Sequence, residues 1–206
     1  MPTCAYLYLQ DGGGTVFKIT SAGAFTSLHS FSGFDGSFPQ DVLVQGSDGN
    51  FYGTTTCGGT PNLGTAFKMT PAGTLTSLHF FDGAHGANPF GGLVQATDGN
   101  FYGTTYSGGT STACPGGCGT VFVLHTGLGP FVETVPTSRP VGQSVRILGN
   151  NLSGATSVTF NGVSAAFTVA SRSQILTTVP VGASSGTVQV ITPAGTLLSN
   201  VPFAIP

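Results

Sequence analysis

The chain has 206 residues, a net charge of −2 and only 6% charged residues, with 33 glycines set among 39% hydrophobic residues. Its five cations, Lys18, Lys68, Arg139, Arg146 and Arg172, are scattered, which argues against a polyanion reader and leaves nucleic acid without the several clustered phosphate contacts it needs. Sixteen Phe and frequent Val and Thr argue against disorder and for half-buried strands separated by glycine turns, an all-β composition.

At the N-terminus, Met1-Pro2-Thr3-Cys4 shows no basic region followed by an apolar core, so no signal peptide is visible in this chain. No apolar run approaches the roughly 20 residues of a membrane span. An internal repeat then dominates the first 126 residues. Asp48-Gly49-Asn50-Phe51-Tyr52-Gly53-Thr54-Thr55 returns as Asp98-Gly99-Asn100-Phe101-Tyr102-Gly103-Thr104-Thr105. Gly14-Thr15-Val16-Phe17-Lys18 returns as Gly64-Thr65-Ala66-Phe67-Lys68 and again, without the Lys, as Gly119-Thr120-Val121-Phe122. Between 14–59 and 64–109, 28 of 46 positions are identical without a gap, a match too long to be shared compositional bias.

Each period holds four strand-like runs, which in the second copy are Gly92–Ala96, Phe101–Tyr106, Thr65–Thr70 and Thr74–Phe81. Asp-Gly-Asn is read as the tight turn between the first two, since Gly and Asn tolerate positive φ. Four antiparallel strands in about 50 residues match the size of a propeller blade. The order GTxFKxTxAGxxTSLHxF, then LVQxxDGNFYGTTxxGG, resembles the GloVer tandem repeat of bacterial surface-anchored proteins, over roughly residues 3–125. The resemblance implies an extracellular, propeller-like array and supplies no catalytic residue or ligand.

After Gly127-Leu128-Gly129-Pro130 the repeat stops. Residues 131–206 read as seven short strands: Phe131–Val135, Ser144–Leu148, Ser157–Phe160, Ala166–Val169, Gln174–Val179, Gly186–Ile191 and Leu197–Ile205. Their regular spacing suggests a β-sandwich. Val141-Gly142-Gln143-Ser144-Val145-Arg146-Ile147-Leu148-Gly149, then Val158-Thr159-Phe160-Asn161-Gly162 and Thr187–Gly195 resemble the IPT/TIG class of immunoglobulin-like domains. The expected organisation is therefore all-β: a partial β-propeller-like array of four-stranded repeats over 1–126, followed by an immunoglobulin-like β-sandwich over 127–206. About ten strands before residue 126 make two and a half blades. An open array exposes sheet edges and apolar faces. Either the chain is the C-terminal piece of a longer protein, or copies associate to complete the propeller.

Few residues suit chemistry. Asp48 and Asp98 open turns, where a side chain bonding its own backbone suffices, and one Asp per turn falls short of a calcium loop. His79 and His85 with Asp82 could be drawn as a metal triplet, but the first copy repeats only His29, so no metal site is expected. Tyr52 and Tyr102, with the repeated His29 and His79, are the candidate ligand-binding residues, the tyrosines by stacking on sugars; core packing is the alternative for the same rings. Cys114 and Cys118 bracket a turn-rich loop and suit a local disulfide in an oxidising compartment, with free thiols or a metal as alternatives.

These readings give a non-catalytic extracellular or cell-surface binding or adhesion protein, without cofactors. The array is its presenting face, the immunoglobulin-like domain its spacer, and a polysaccharide or surface protein its partner. An accessory region of a carbohydrate-active enzyme and a purely structural repeat are the competing readings.

Overall fold

The computed structural model describes Cys4 and residues 13–206, and every regular element within 13–206 is a strand. The described residues up to Gln95 together with Phe101–Leu124 form one compact unit; Ala96–Asn100 and His125–Pro206 form the other.

In the first unit the chain lays down three small antiparallel sheets. β1 (Thr15–Ile19) pairs with β2 (Phe25–Ser30). β3 (Val44–Gln45), β4 (Phe51–Thr55), β5 (Thr65–Met69) and β6 (Leu75–Phe80) follow as a four-stranded meander. β7 (Val94–Gln95), β8 (Phe101–Thr104) and β9 (Val121–Leu124) make a three-stranded sheet. Nine strands thus precede residue 126 among the described residues. The sheets are out of phase with the copies chosen on the sequence. The runs expected at 92–96 and 101–106 share a sheet with β9, whereas those at 65–70 and 74–81 share one with β4 from the preceding copy. Sequence identity is cyclic and marks no sheet boundary; the antiparallel pairing of β4 with β5 does.

The Asp-Gly-Asn turn also differs in detail. Only Gly49 has positive φ, at 78°, while Asn50 stays in ordinary space. Asp48 closes the turn through its carboxylate, which accepts from the Asn50 backbone N–H at 3.1 Å and its side-chain amide at 2.7 Å.

Strand alternation gives each sheet two faces, and successive sheets pack by opposite faces. Phe67 and Met69 of β5 are fully buried against Val16 and Phe31 of the first sheet, with Leu28 and Leu75 at the margin. On its other face the meander buries Tyr52 and Ala66, and Tyr52 stacks on Phe101 of β8. Each large apolar side chain removed from water in this way contributes about 1.5–3 kcal/mol.

A polar knot repeats beside this core. Thr55 Oγ1 lies 2.8 Å from Thr65 Oγ1, Thr65 Oγ1 donates to the Asp35 carbonyl, and Thr55 Oγ1 donates to the Cys57 carbonyl. In the next sheet Thr105, Thr120, His85 and Ser107 make the same four-part arrangement. Gly36 and Gly86 abut these hydroxyls: a Cβ on Gly36 would stand 2.5 Å from Thr55 Oγ1, and one on Gly86 would stand 2.5 Å from Thr120 Oγ1.

The second unit is a sandwich of two four-stranded sheets. One runs β10 (Val132–Val135), β11 (Ser144–Gly149), β15 (Gln174–Thr178), β14 (Phe167–Ser171); the other runs β13 (Val163–Ser164), β12 (Ser157–Phe160), β16 (Val188–Thr192), β17 (Gly195–Leu198). Val132, Ile147, Ile175, Val188, Val190 and Phe160 alternate inward, and Phe203 meets Phe160 edge-on at 5.1 Å. The strand expected over 197–205 ends at Leu198. Beyond it the chain makes only single bridges, from Ser199 to Val132, Phe203 to Gly186 and Ala204 to Ser138.

Candidate functional site

The four residues singled out as ligand contacts are positioned by the repeat core. Tyr52 is fully buried. Its ring lies 4.0 Å from that of Phe101, and its hydroxyl donates to Asp48 Oδ2 at 3.0 Å. It offers no face to a ligand, and packing is the role it fills here. Lys68 Nζ reaches the same carboxylate oxygen at 3.0 Å. Burial pushes the Asp48 carboxyl up, but hydrogen bonds from Asn50, Lys68 and Tyr52 outweigh it and hold it down at about 2. Tyr102 is half-buried on the outward face of β8, opposite Val123 where the first copy has Lys68.

His29 and His79 each pack edge-on against the Phe two residues along, at 5.0 Å on Phe31 and 4.9 Å on Phe81. Those Phe rings in turn meet Phe67 and Phe122 of the following sheet. The repeated histidine is thus the first ring of a His–Phe–Phe stack between sheets. His29 Nε2 also lies 2.7 Å from Asp35 Oδ2. In the next copy the polarity is exchanged: Asp82 takes the place of Ser32 and His85 that of Asp35, with Asp82 Oδ2 2.7 Å from His85 Nδ1. Among the described residues no three His, Cys, Asp or Glu side chains gather as a metal site.

All four cysteines are paired, Cys114 with Cys118 and Cys4 with Cys57. The second pairing was not readable from the sequence, because Ser107 occupies the place of Cys57 in the next copy.

A candidate binding surface lies on the sandwich, on arginines that are scattered in the sequence. The outward face of the β10–β11–β15–β14 sheet carries a groove of about 710 Å³, within the size range of ligand sites. Strand register builds it. Val135, Arg146, Leu176 and Thr168 sit opposite one another across the four strands, and Ser144 pairs with Thr178 beside them. Arg139, from the segment after β10, lines the same groove. Arg146 is exposed, Leu176 is 45% exposed, and neither Arg139 nor Arg146 forms an ion pair among the described residues. Between residues 127 and 206 the acid is Glu133 alone, against three arginines. The groove therefore combines two guanidinium forks, hydroxyls and a short apolar floor. The signal for it lay in the alternation of Ser144 and Arg146 with the buried Val145 and Ile147.

The model of the Gloeobacter/Verrucomicrobia repeat matches residues 5–167. The chain belongs to this repeat family. The IPT/TIG domain model matches 131–205, so the family match of the repeat runs into residues that the structure places in the sandwich. The Gloeobacter/Verrucomicrobia repeat protein is therefore all-β, with an immunoglobulin-like IPT/TIG domain at its C-terminal side. No curated protein matches it. Among solved structures, it is similar to SGBP-B from a complex xyloglucan utilization locus in Bacteroides uniformis, at 17% identity and a TM-score of 0.31. That similarity covers 68% of this chain and 35% of the other, so the chain spans about a third of that protein's length. No helix among the described residues is long and apolar enough to cross a membrane.

Proposed function

We propose that the chain is a non-catalytic binding protein of the extracellular or cell-surface compartment, and that its IPT/TIG sandwich holds an acidic polysaccharide in the arginine-lined groove. The observation that carries this reading is the convergence of Arg139 and Arg146 with Ser144, Thr168 and Thr178 on one open face. Guanidinium forks match carboxylates in a bidentate way, and flanking hydroxyls match those of a sugar chain. Pairing of every cysteine supports an oxidising compartment.

The non-catalytic reading rests on how the aspartates are used. Asp35, Asp41, Asp48, Asp82 and Asp98 each accept a hydrogen bond from a backbone N–H within three residues of themselves. That is turn-building work, and it accounts for them without chemistry. In this reading the repeat array is the rigid support, and the sandwich has more than a spacer's role.

The test is calorimetric titration of the 206-residue protein with a polyuronate and with a neutral glucan. Binding of the polyuronate that Arg146→Ala weakens at least tenfold, while Arg172→Ala leaves it unchanged, supports the assignment. Equal binding of the neutral glucan, or indifference to Arg146→Ala, sinks it. Binding to neither leaves the structural-repeat reading in its place.

A further inference from the structure

The internal repeats show what covers an apolar face of this array. Phe67 and Met69 in the meander are fully buried, with Leu75 half-buried beside them. Their cover is the opposite face of the preceding sheet, led by Val16 and Phe31. The third sheet repeats the arrangement. Phe122 and Leu124 occupy the equivalent positions, and Phe122 packs on Phe81 from the end of the meander. The same positions in the first sheet are Phe17, Ile19 and Phe25, fifty residues upstream without a gap. They are 53%, 60% and 61% exposed, and the rings of Phe17 and Phe25 stack on each other at 5.2 Å.

The opposite end of the array carries the complementary face. In the meander, the side that meets the next sheet presents Tyr52, Thr54, Ala66 and Thr56. In the third sheet the matching positions are Tyr102, Thr104, Val121 and Tyr106, and Val121 is 78% and Tyr106 51% exposed. Here Val121 replaces Ala66, Val123 replaces Lys68 and Tyr106 replaces Thr56, so this open face is more apolar than its buried counterpart.

We propose that the Phe17–Ile19–Phe25 face of one copy docks the Val121–Val123–Tyr106 face of a second copy, head to tail. The occupant follows from the repeat itself, since Val16 of the face that covers Phe67 and Met69 inside the array recurs at this end as Val121. A heterologous contact of this kind propagates into a closed ring or an open filament. Contiguous apolar surface of this sort on a soluble chain marks an interaction site.

The experiment is light scattering on the purified 206-residue protein over about a hundredfold range of concentration, since association obeys mass action. The expected result is a weight-average mass that rises to at least twice that of the monomer. Phe17→Asp on one face and Val121→Asp on the other should each reduce the protein to monomer with an unchanged far-UV circular dichroism spectrum, because both residues are exposed. Phe25→Asp checks the first face independently. Mixing the Phe17→Asp and Val121→Asp proteins should restore a dimer and nothing larger, since the mixture retains one intact face of each kind. A monomer at all concentrations overturns the proposal. So does association that survives both substitutions, or a mixture that stays monomeric.

Discussion

The ring of Tyr52 lies 4.0 Å from the ring of Phe101 at an interplanar angle of 26°, so two adjacent letters of a repeated Phe-Tyr pair are matched across a sheet boundary. The Tyr of one copy meets the Phe of the next, and each sheet contributes a different face to the contact. Truncating Tyr52 to Ala should cost about 3–5 kcal/mol, as for other fully buried aromatics. Tyr52→Phe keeps the stack and loses only the bond to Asp48, at about 1 kcal/mol. Denaturant unfolding of both variants separates the two contributions.

The acid side of the stability profile should report Asp48. Its folded pKa, about 2, lies below the ordinary carboxylate value of 3.8, so its contribution is fully present above the unfolded value and disappears as pH falls through the folded one. Screening at this partly solvated site leaves about 1 kcal/mol. Unfolding free energies of the parent and Asp48→Asn should therefore differ at pH 6 and converge toward pH 2. Parallel curves would show that Lys68, Tyr52 and Asn50 do not hold the carboxylate in solution.

Gly36 and Gly49 both adopt positive φ, but only one is crowded. A Cβ at 49 meets nothing within 4 Å, whereas at 36 it strikes Thr55 and Thr65. Gly49→Ala should cost about 1–2 kcal/mol from backbone strain alone. Gly36→Ala should cost visibly more, because the threonine pair must separate and leave buried hydroxyls unpaired. Thermal melts of the two variants provide the comparison.

The two disulfides should differ in weight. Cys4–Cys57 spans 53 positions and Cys114–Cys118 only 4. On loop-closure entropy the first is worth about 4 kcal/mol and the second about 2. Cys57→Ser should reproduce most of the loss of stability seen in reductant, and a Cys114→Ser, Cys118→Ser double variant the smaller part.

Turn chemistry and period made most strands readable in advance. Ser157–Phe160 was placed to the residue, and β11 and β15 to within one position at an end. What escaped was everything decided by a neighbour. Alternation shows that Phe51 and Tyr52 face opposite ways, but not which side another sheet will cover. Residues 139 and 146 share a groove only because β10 and β11 pair with Val135 opposite Arg146. Cys57 finds Cys4 outside the matched copies 14–59 and 64–109, so comparison of copies pointed away from the bond. The two-residue strand Val163–Ser164 was missed because it has no periodicity to detect.

The spacing of the opposed faces, fifty residues between the first two copies and fifty-five between β5 and β9, bears on how such a chain changes length over generations. Because every sheet greets its follower with the same face, excision or duplication of one whole period leaves each surviving face beside a suitable neighbour, wherever within the period the break falls. The connection from Thr105 to Thr120 is five residues longer than that from Thr55 to Thr65, yet β9 presents the same face as β5, so the turns absorb changes of length that the strands do not.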